Sequence, residues 1–307
     1  MKRVKGISLH GNMKVGELLE EYGKAGVLGA GNLADAQRVL EEMLQGDVTV
    51  FLGMAGPLTA SGLRSVIRDM IKKKMVSAVV ASGANVVHDM IEAFGCRHYG
   101  GRFDADDVEL RKKKIGRIGN IYIELKAFEV FESRCQEIFA GIGEDKRRNL
   151  SIRELLWEIG SHLDDEDSFL RAAYEGGVPV FSPAMMDSML GLQLFFFSQE
   201  NKMVINAVKD MKEIADMVFE ARKTGAIILG GGVSKHYILG VNTLRDGIDY
   251  GIQITLDREE AGSLSGAKLE EAVSWGKAGE KAKLVSLVGD ATVLFPLLMA
   301  GFMERLK

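Results

Sequence analysis

From residue 47 onward, short apolar runs rich in β-branched residues alternate with longer stretches whose apolar positions recur every three or four residues. The runs are Val48 to Leu52, Val76 to Ala81, Val178 to Phe181, Met203 to Ile205, Ala226 to Leu229, Tyr250 to Thr255 and Leu284 to Val288. Each gives way to glycine, proline, serine or aspartate and then to a helical pattern, which is the rhythm of parallel strands joined by crossover helices. Runs that are apolar at nearly every position need cover on both faces. The pattern therefore predicts an α/β fold, a doubly wound, mostly parallel sheet with helices on both faces. Between Lys126 and Gly176 only helical periodicity appears, so a helical insertion is expected there. Residues 33–44 read as an amphipathic helix with Asn32 as its N-cap. No linker rich in proline, glycine or serine divides the chain, so residues 1–307 are expected to form a single domain.

Composition narrows the function classes. A chain of 307 residues that is 47% hydrophobic and 27% charged, with a net charge of −4, has the balance of a soluble globular protein. It carries no basic domain of the kind nucleic acid requires. The densest basic run, Arg111 to Lys114, reads either as a solvated segment or as a docking surface for an acidic protein. Two cysteines, Cys96 and Cys135, lack metal-binding spacing, which points to a reducing compartment, no disulfide framework and no metal site. Neither a secretory signal nor an apolar stretch of membrane-spanning length is seen, so a cytoplasmic protein without membrane association is expected.

In a doubly wound sheet, ligands collect beyond the carboxyl ends of the strands. The loops there are Gly53 to Ser61, Ser82 to Asn85, Ser182 to Asp187, Gly230 to Gly232 and Gly289 to Thr292. Triple glycine before a helix lets backbone approach a bulky ligand and aims a helix N-terminus at a phosphate, although it also serves as a simple turn. Asp187 and Asp290 each precede a helix and would serve as N-caps if they bound nothing. A second glycine motif, GAGNLA at Gly29 to Ala34, matches a dinucleotide fingerprint but follows no convincing strand, so it reads as a helix cap.

The strongest chemical signal is EEAVSWGK, Glu270 to Lys277. A free lysine has a pKa of about 10.4, so a nucleophilic lysine must be pushed toward its neutral form. Packing Lys277 on the indole of Trp275 would do that by desolvation, and Glu271, nearly two helical turns back, would orient a cationic substrate or move a proton. An ordinary solvated lysine at a helix end is the alternative.

These residues, with DATVLFPLL from Asp290, FLGMAGPLTASGLR from Phe51, KKIGRIGNIYI from Lys113, PVFSPAMMDSMLG from Pro179 and AIILGGGVSKHYI from Ala226, make the chain resemble deoxyhypusine synthase, in its archaeal type. The resemblance implies a Rossmann-like NAD-binding transferase. It passes the aminobutyl group of spermidine, or of a related polyamine, through an imine on the SWGK lysine to a lysine of translation initiation factor 5A. It also implies a homotetramer with NAD held between subunits. Catalysis is then carried by Lys277 with His236, and the substrate meets Glu271, Trp275 and His88. NAD contacts are implied at Thr59, Ser61, Ser82 and Gly83, at Asp187, across Gly230, Gly231 and Gly232, and at Ser265, Asp290 and Ala291.

Departures from the family pattern fall on the substrate side. Leu192 and Leu264 stand where an acidic residue is usual, as does His88, and GPLTA replaces a loop richer in serine and asparagine. Missing carboxylates open a second reading in which a small amine such as putrescine is the acceptor and homospermidine the product. A third reading is an NAD-binding protein whose lysine does no chemistry.

Overall fold

The structure is a computed structural model that describes residues 3–306. Its strands are β1 (Thr49–Met54), β2 (Ala78–Ala81), β3 (His98–Gly100), β4 (Ile115–Ile118), β5 (Ile121–Glu124), β6 (Val180–Phe181), β7 (Thr224–Leu229), β8 (Ile248–Thr255) and β9 (Ala278–Val288). Six of them make one mostly parallel sheet in the order β6-β2-β1-β7-β8-β9, and the other three make a small sheet, β3-β5-β4. The chain divides into two compact units. The first takes the residues up to Ala55, Met75–Val80 and those from Lys212 onward; the second takes Gly56–Lys74 and Ala81–Met211.

In the first unit β1, β7, β8 and β9 pair in parallel, with Val50 opposite Gly225 and Gly53 opposite Ile228. Gly225 lies under Met43 of helix Leu28–Gln45, whereas Gly53 lies under Ile238 of helix Gly232–Val241. Gly225 and Ile228 are three residues apart on β7, so they point to opposite faces and the two helices cover opposite sides of the sheet. All of β7 is buried, as its apolar run from Gly225 to Leu229 requires, and the hydroxyl of Thr224 donates to Asn242 Oδ1 at 2.7 Å.

The second unit holds the helix-rich segment expected between 126 and 176, as helices Lys126–Gly141, Glu144–Arg147, Ile152–Ser161 and Phe169–Gly176. Ser151 and Glu154 form a capping box on the third of these. A fully buried carboxylate, Asp89, accepts from Arg64 Nε at 2.5 Å, Ser168 Oγ at 2.6 Å and the backbone N–H of Leu170 at 3.1 Å. Arg64 also pairs with Asp165 at 2.7 Å, so this interior charge has both a counter-ion and hydrogen-bond donors.

Three sequence expectations need correction. Met203 to Ile205 is not a strand; it makes only an isolated bridge from Ile205 to Leu150, because three apolar residues between helices find no neighbour to extend the pairing. The helix expected from Leu33 begins at Leu28, with Val27 rather than Asn32 as N-cap. GAGNLA is therefore inside the helix, and Gly31 is there because its Cα packs against the Gly26 backbone, where a Cβ would come within 2.7 Å. KKIGRIGNIYI, given no strand above, forms the β4–β5 hairpin, turning at Gly119 and Asn120. Its glycines and charges hide the strand alternation.

Candidate active site

Helix Glu271–Ser274 has only four residues, and Trp275 is its C-cap. Gly276 then turns left-handed at φ 65°, Lys277 N–H donates to Ala272 O at 2.9 Å, and Gly276 N–H donates to Val273 O at 3.0 Å. This is a Schellman turn, which needs glycine at that place and sends the next residue off sharply. Lys277 thus faces the same cavity as Glu271 through a turn, not along two helical turns as the spacing suggests. Its carbonyl accepts from Ile248 N–H at 3.1 Å, fixing the lysine at the head of β9.

The cavity has a volume of about 300 Å³ and is bounded by Lys235, Leu264, Glu271, Trp275 and Lys277, with Glu259 and Lys268 at its edge. Lys277 is half-buried and its Nζ lies 5.3 Å from the centre of the indole. Trp275 itself is 68% exposed, so it covers one side of the amine and is not the buried wall expected from sequence. Glu259 is paired with Lys268 at 2.6 Å. Glu271 has no ion pair among the described residues, which leaves it as the carboxylate open to a cationic ligand.

The deepest charged group in this cavity was not picked out from sequence. Lys235 is 1% exposed, and its ammonium donates to Gln253 Oε1 at 2.9 Å, Leu264 O at 2.9 Å and Ala267 O at 2.5 Å. Burial pushes its pKa down to about 8, against the upward pull of Glu271 and Glu270. A signal was available: Ile238 and Leu239 lie three and four residues on, so helical periodicity puts Lys235 on the apolar face. Two of its bonds hold the loop that carries Leu264 and the third ties it to Gln253 of β8, and Leu264 borders the lysine cavity. Leu192, by contrast, is 40% exposed on helix Met189–Glu200 of the second unit.

At the carboxyl ends of the same strands, Gly230 and Gly232 take φ of 78° and 60°. A Cβ on Gly231 would come within 2.4 Å of Ser265 Cα, so the glycine turn and Ser265 are in contact. No side chain caps helix Gly232–Val241, and Gly232 faces open space. Uncapped first-turn N–H groups behind a glycine turn suit the pyrophosphate of a dinucleotide. Asp290 caps helix Ala291–Met303 by accepting from Thr292 N–H at 2.8 Å. Asp290 follows β9 while Lys277 precedes it, so within one chain they lie at opposite ends of an 11-residue strand. His236 is exposed and does not line the lysine cavity.

In the second unit, Thr59 N–H donates to Asn85 Oδ1 at 3.1 Å, and Asn85 Nδ2 donates to Gly56 O at 2.9 Å and Ser82 Oγ at 3.0 Å. Buried Asn85 thereby joins Thr59 to Ser82, the N-cap of helix Gly83–Ala93. Gly83 lies against Ser188, which caps helix Met189–Glu200 in place of exposed Asp187. Ser61 donates to Leu58 O at 3.1 Å. His88 is buried, with Nδ1 2.9 Å from His98 Nε2. Among the described residues, no helix is long and apolar enough to cross a membrane.

The family described as deoxyhypusine synthase matches residues 17–302. The chain is 50% identical over 295 residues to the protein named "Probable deoxyhypusine synthase" of Methanothermobacter thermautotrophicus, covering 96% of this chain and 95% of that one. It is 46% identical over 300 residues to the protein of the same name from Methanopyrus kandleri, with 96% of each chain covered. A crystal structure from Entamoeba histolytica assigned as a deoxyhypusine synthase superposes with a TM-score of 0.71 at 21% identity, over 99% of this chain and 98% of that one, and so shares the fold.

Proposed function

Since this chain belongs to the deoxyhypusine synthase family, we propose that it moves the aminobutyl group of spermidine, or of a related polyamine, through an imine on Lys277 to a lysine of translation initiation factor 5A. The observation that carries this reading is the shared cavity of Lys277 and the unpaired Glu271. Glu271 attracts and orients the ammonium of the donor, Trp275 shields one side of the amine, and Lys235 keeps the covering loop in place. The chemistry that a bound NAD would supply is reversible hydride transfer with the donor amine. Gly230, Gly231 and Gly232 with Ser265 would hold its pyrophosphate, and Asp290 with Ala291 would hold a further part.

A homotetramer in the cytoplasm completes the proposal. Lys277 and Asp290 sit at opposite ends of β9, which favours a second copy bringing its cofactor loop to each lysine. Leu256 and Val288, each 68% exposed, and Val293 at 62%, are apolar surface beside Asp290 that such a copy would cover. Incubation with NAD, spermidine and purified factor 5A should release 1,3-diaminopropane and add mass to one lysine of the factor. No release with any donor amine would defeat the reading.

The observation that Leu264 borders the lysine cavity favours a second acceptor, because an apolar wall there rewards fewer charged nitrogens. Putrescine in place of the factor would then give homospermidine, and product analysis separates the two.

A further inference from the structure

Outside the lysine cavity, a glutamate and two histidines of the second unit form a hydrogen-bonded chain. His88 lies in helix Gly83–Ala93 at 7% exposure, Glu92 follows one turn later, and His98 opens β3. Glu92 Oε1 lies 2.7 Å from His98 Nδ1 and accepts the His98 backbone N–H at 3.0 Å. His98 Nε2 lies 2.9 Å from His88 Nδ1, and the two rings meet edge to face with centroids 4.9 Å apart.

Proton positions follow from the order of the chain. Burial pulls the Glu92 carboxyl upward, but the hydrogen bonds from His98 and the nearby Arg97 outweigh it and hold the group below its ordinary value. An ionised carboxylate only accepts, so His98 Nδ1 carries the proton. Where Nδ1–H is the only proton on the His98 ring, its Nε2 is bare and must accept, and the donor facing it is His88 Nδ1–H. Burial, reinforced by His98, lowers the His88 pKa to about 4, so this ring holds a single proton at neutral pH. That proton is committed to Nδ1, and Nε2 has no partner among the described residues.

We infer that Glu92, acting through His98, locks His88 in its Nδ1–H tautomer and makes Nε2 a single neutral acceptor for an O–H or N–H group of a bound ligand. Glu92 and His98 are positioning residues in this arrangement. The tautomer stands independently of the enzymatic reading, while the identity of the ligand rests on it.

The full chain labelled with ¹⁵N at its five histidines, sedimented for solid-state NMR, tests both halves. His88→Gln identifies the His88 signals by their loss. At pH 7 the wild-type Nδ1 should resonate as protonated and Nε2 as bare, the reverse of the form that free histidine prefers. In His98→Phe the ring should revert to Nε2–H, and Glu92→Ala, which keeps both rings, should give a mixture. A wild-type Nε2 that carries a proton overturns the inference whether or not the protein transfers amines. Adding NAD alone or spermidine alone then finds the donor, since the one that bonds Nε2 shifts its resonance. If neither shifts it, the ligand half is overturned while the tautomer stands.

Discussion

Replacing Lys235 with methionine removes a buried amine while keeping most of its apolar stem. At pH 7 the variant strands three acceptors, Gln253 Oε1, Leu264 O and Ala267 O, at about 1–3 kcal/mol each. It also relieves the burial of a charge: a pKa lowered from 10.5 to about 8 corresponds to about 3.4 kcal/mol. The net loss at pH 7 is then about 0–6 kcal/mol, centred on about 3 kcal/mol. The pH dependence is more discriminating. Because the folded value lies below the unfolded one, between about pH 8 and 10.5 the unfolded chain holds a proton that the folded chain has released. Stability therefore rises with pH across that window, and the variant lacks this rise. From about pH 7 to about pH 9.5 the wild type should gain about 2 kcal/mol over Lys235→Met. Urea denaturation at fixed protein concentration, followed by tryptophan fluorescence and circular dichroism, reads the gap. A gap that stays constant or narrows over that range would contradict a buried Lys235 ammonium with a lowered pKa.

Other substitutions probe separate parts of the account. Asp89→Ala leaves the Arg64 guanidinium half-paired in the interior and should cost about 3–5 kcal/mol in chemical denaturation; a loss under about 1 kcal/mol would contradict the buried network. Gly276→Ala puts a Cβ at φ 65°, so it should lose about 1–2 kcal/mol of stability and lower turnover by moving Lys277, with unchanged kcat arguing against the turn's role. Leu264→Asp returns a carboxylate to the cavity wall and should lower the spermidine KM by roughly threefold to tenfold relative to putrescine, which steady-state product analysis would show.

The sheet was legible where its strands carry short apolar runs, as in β1, β2 and β7, whereas the first half of β9, with Glu280, Lys281 and Lys283, was hidden by its charges. The hairpin at Lys113 to Ile123 was not legible, since most of its residues are only partly buried and two glycines break the alternation. At the candidate site, SWGK singled out Lys277 from sequence, but the turn that brings it beside Glu271 belongs to the left-handed Gly276, which a helical spacing argument cannot foresee. Lys235 and the His98–His88 contact depend on how distant segments pack. His98 is ten residues from His88, in a strand whose pairing only the fold defines.

Trapping decides whether Lys277 captures an oxidised alkylamine. Borohydride added to the protein with NAD and spermidine, followed by peptide mass spectrometry, should show an added aminobutyl group on Lys277, absent from Lys277→Ala. A trapped adduct on another residue, or an unmodified Lys277 while donor amine is consumed, would contradict it.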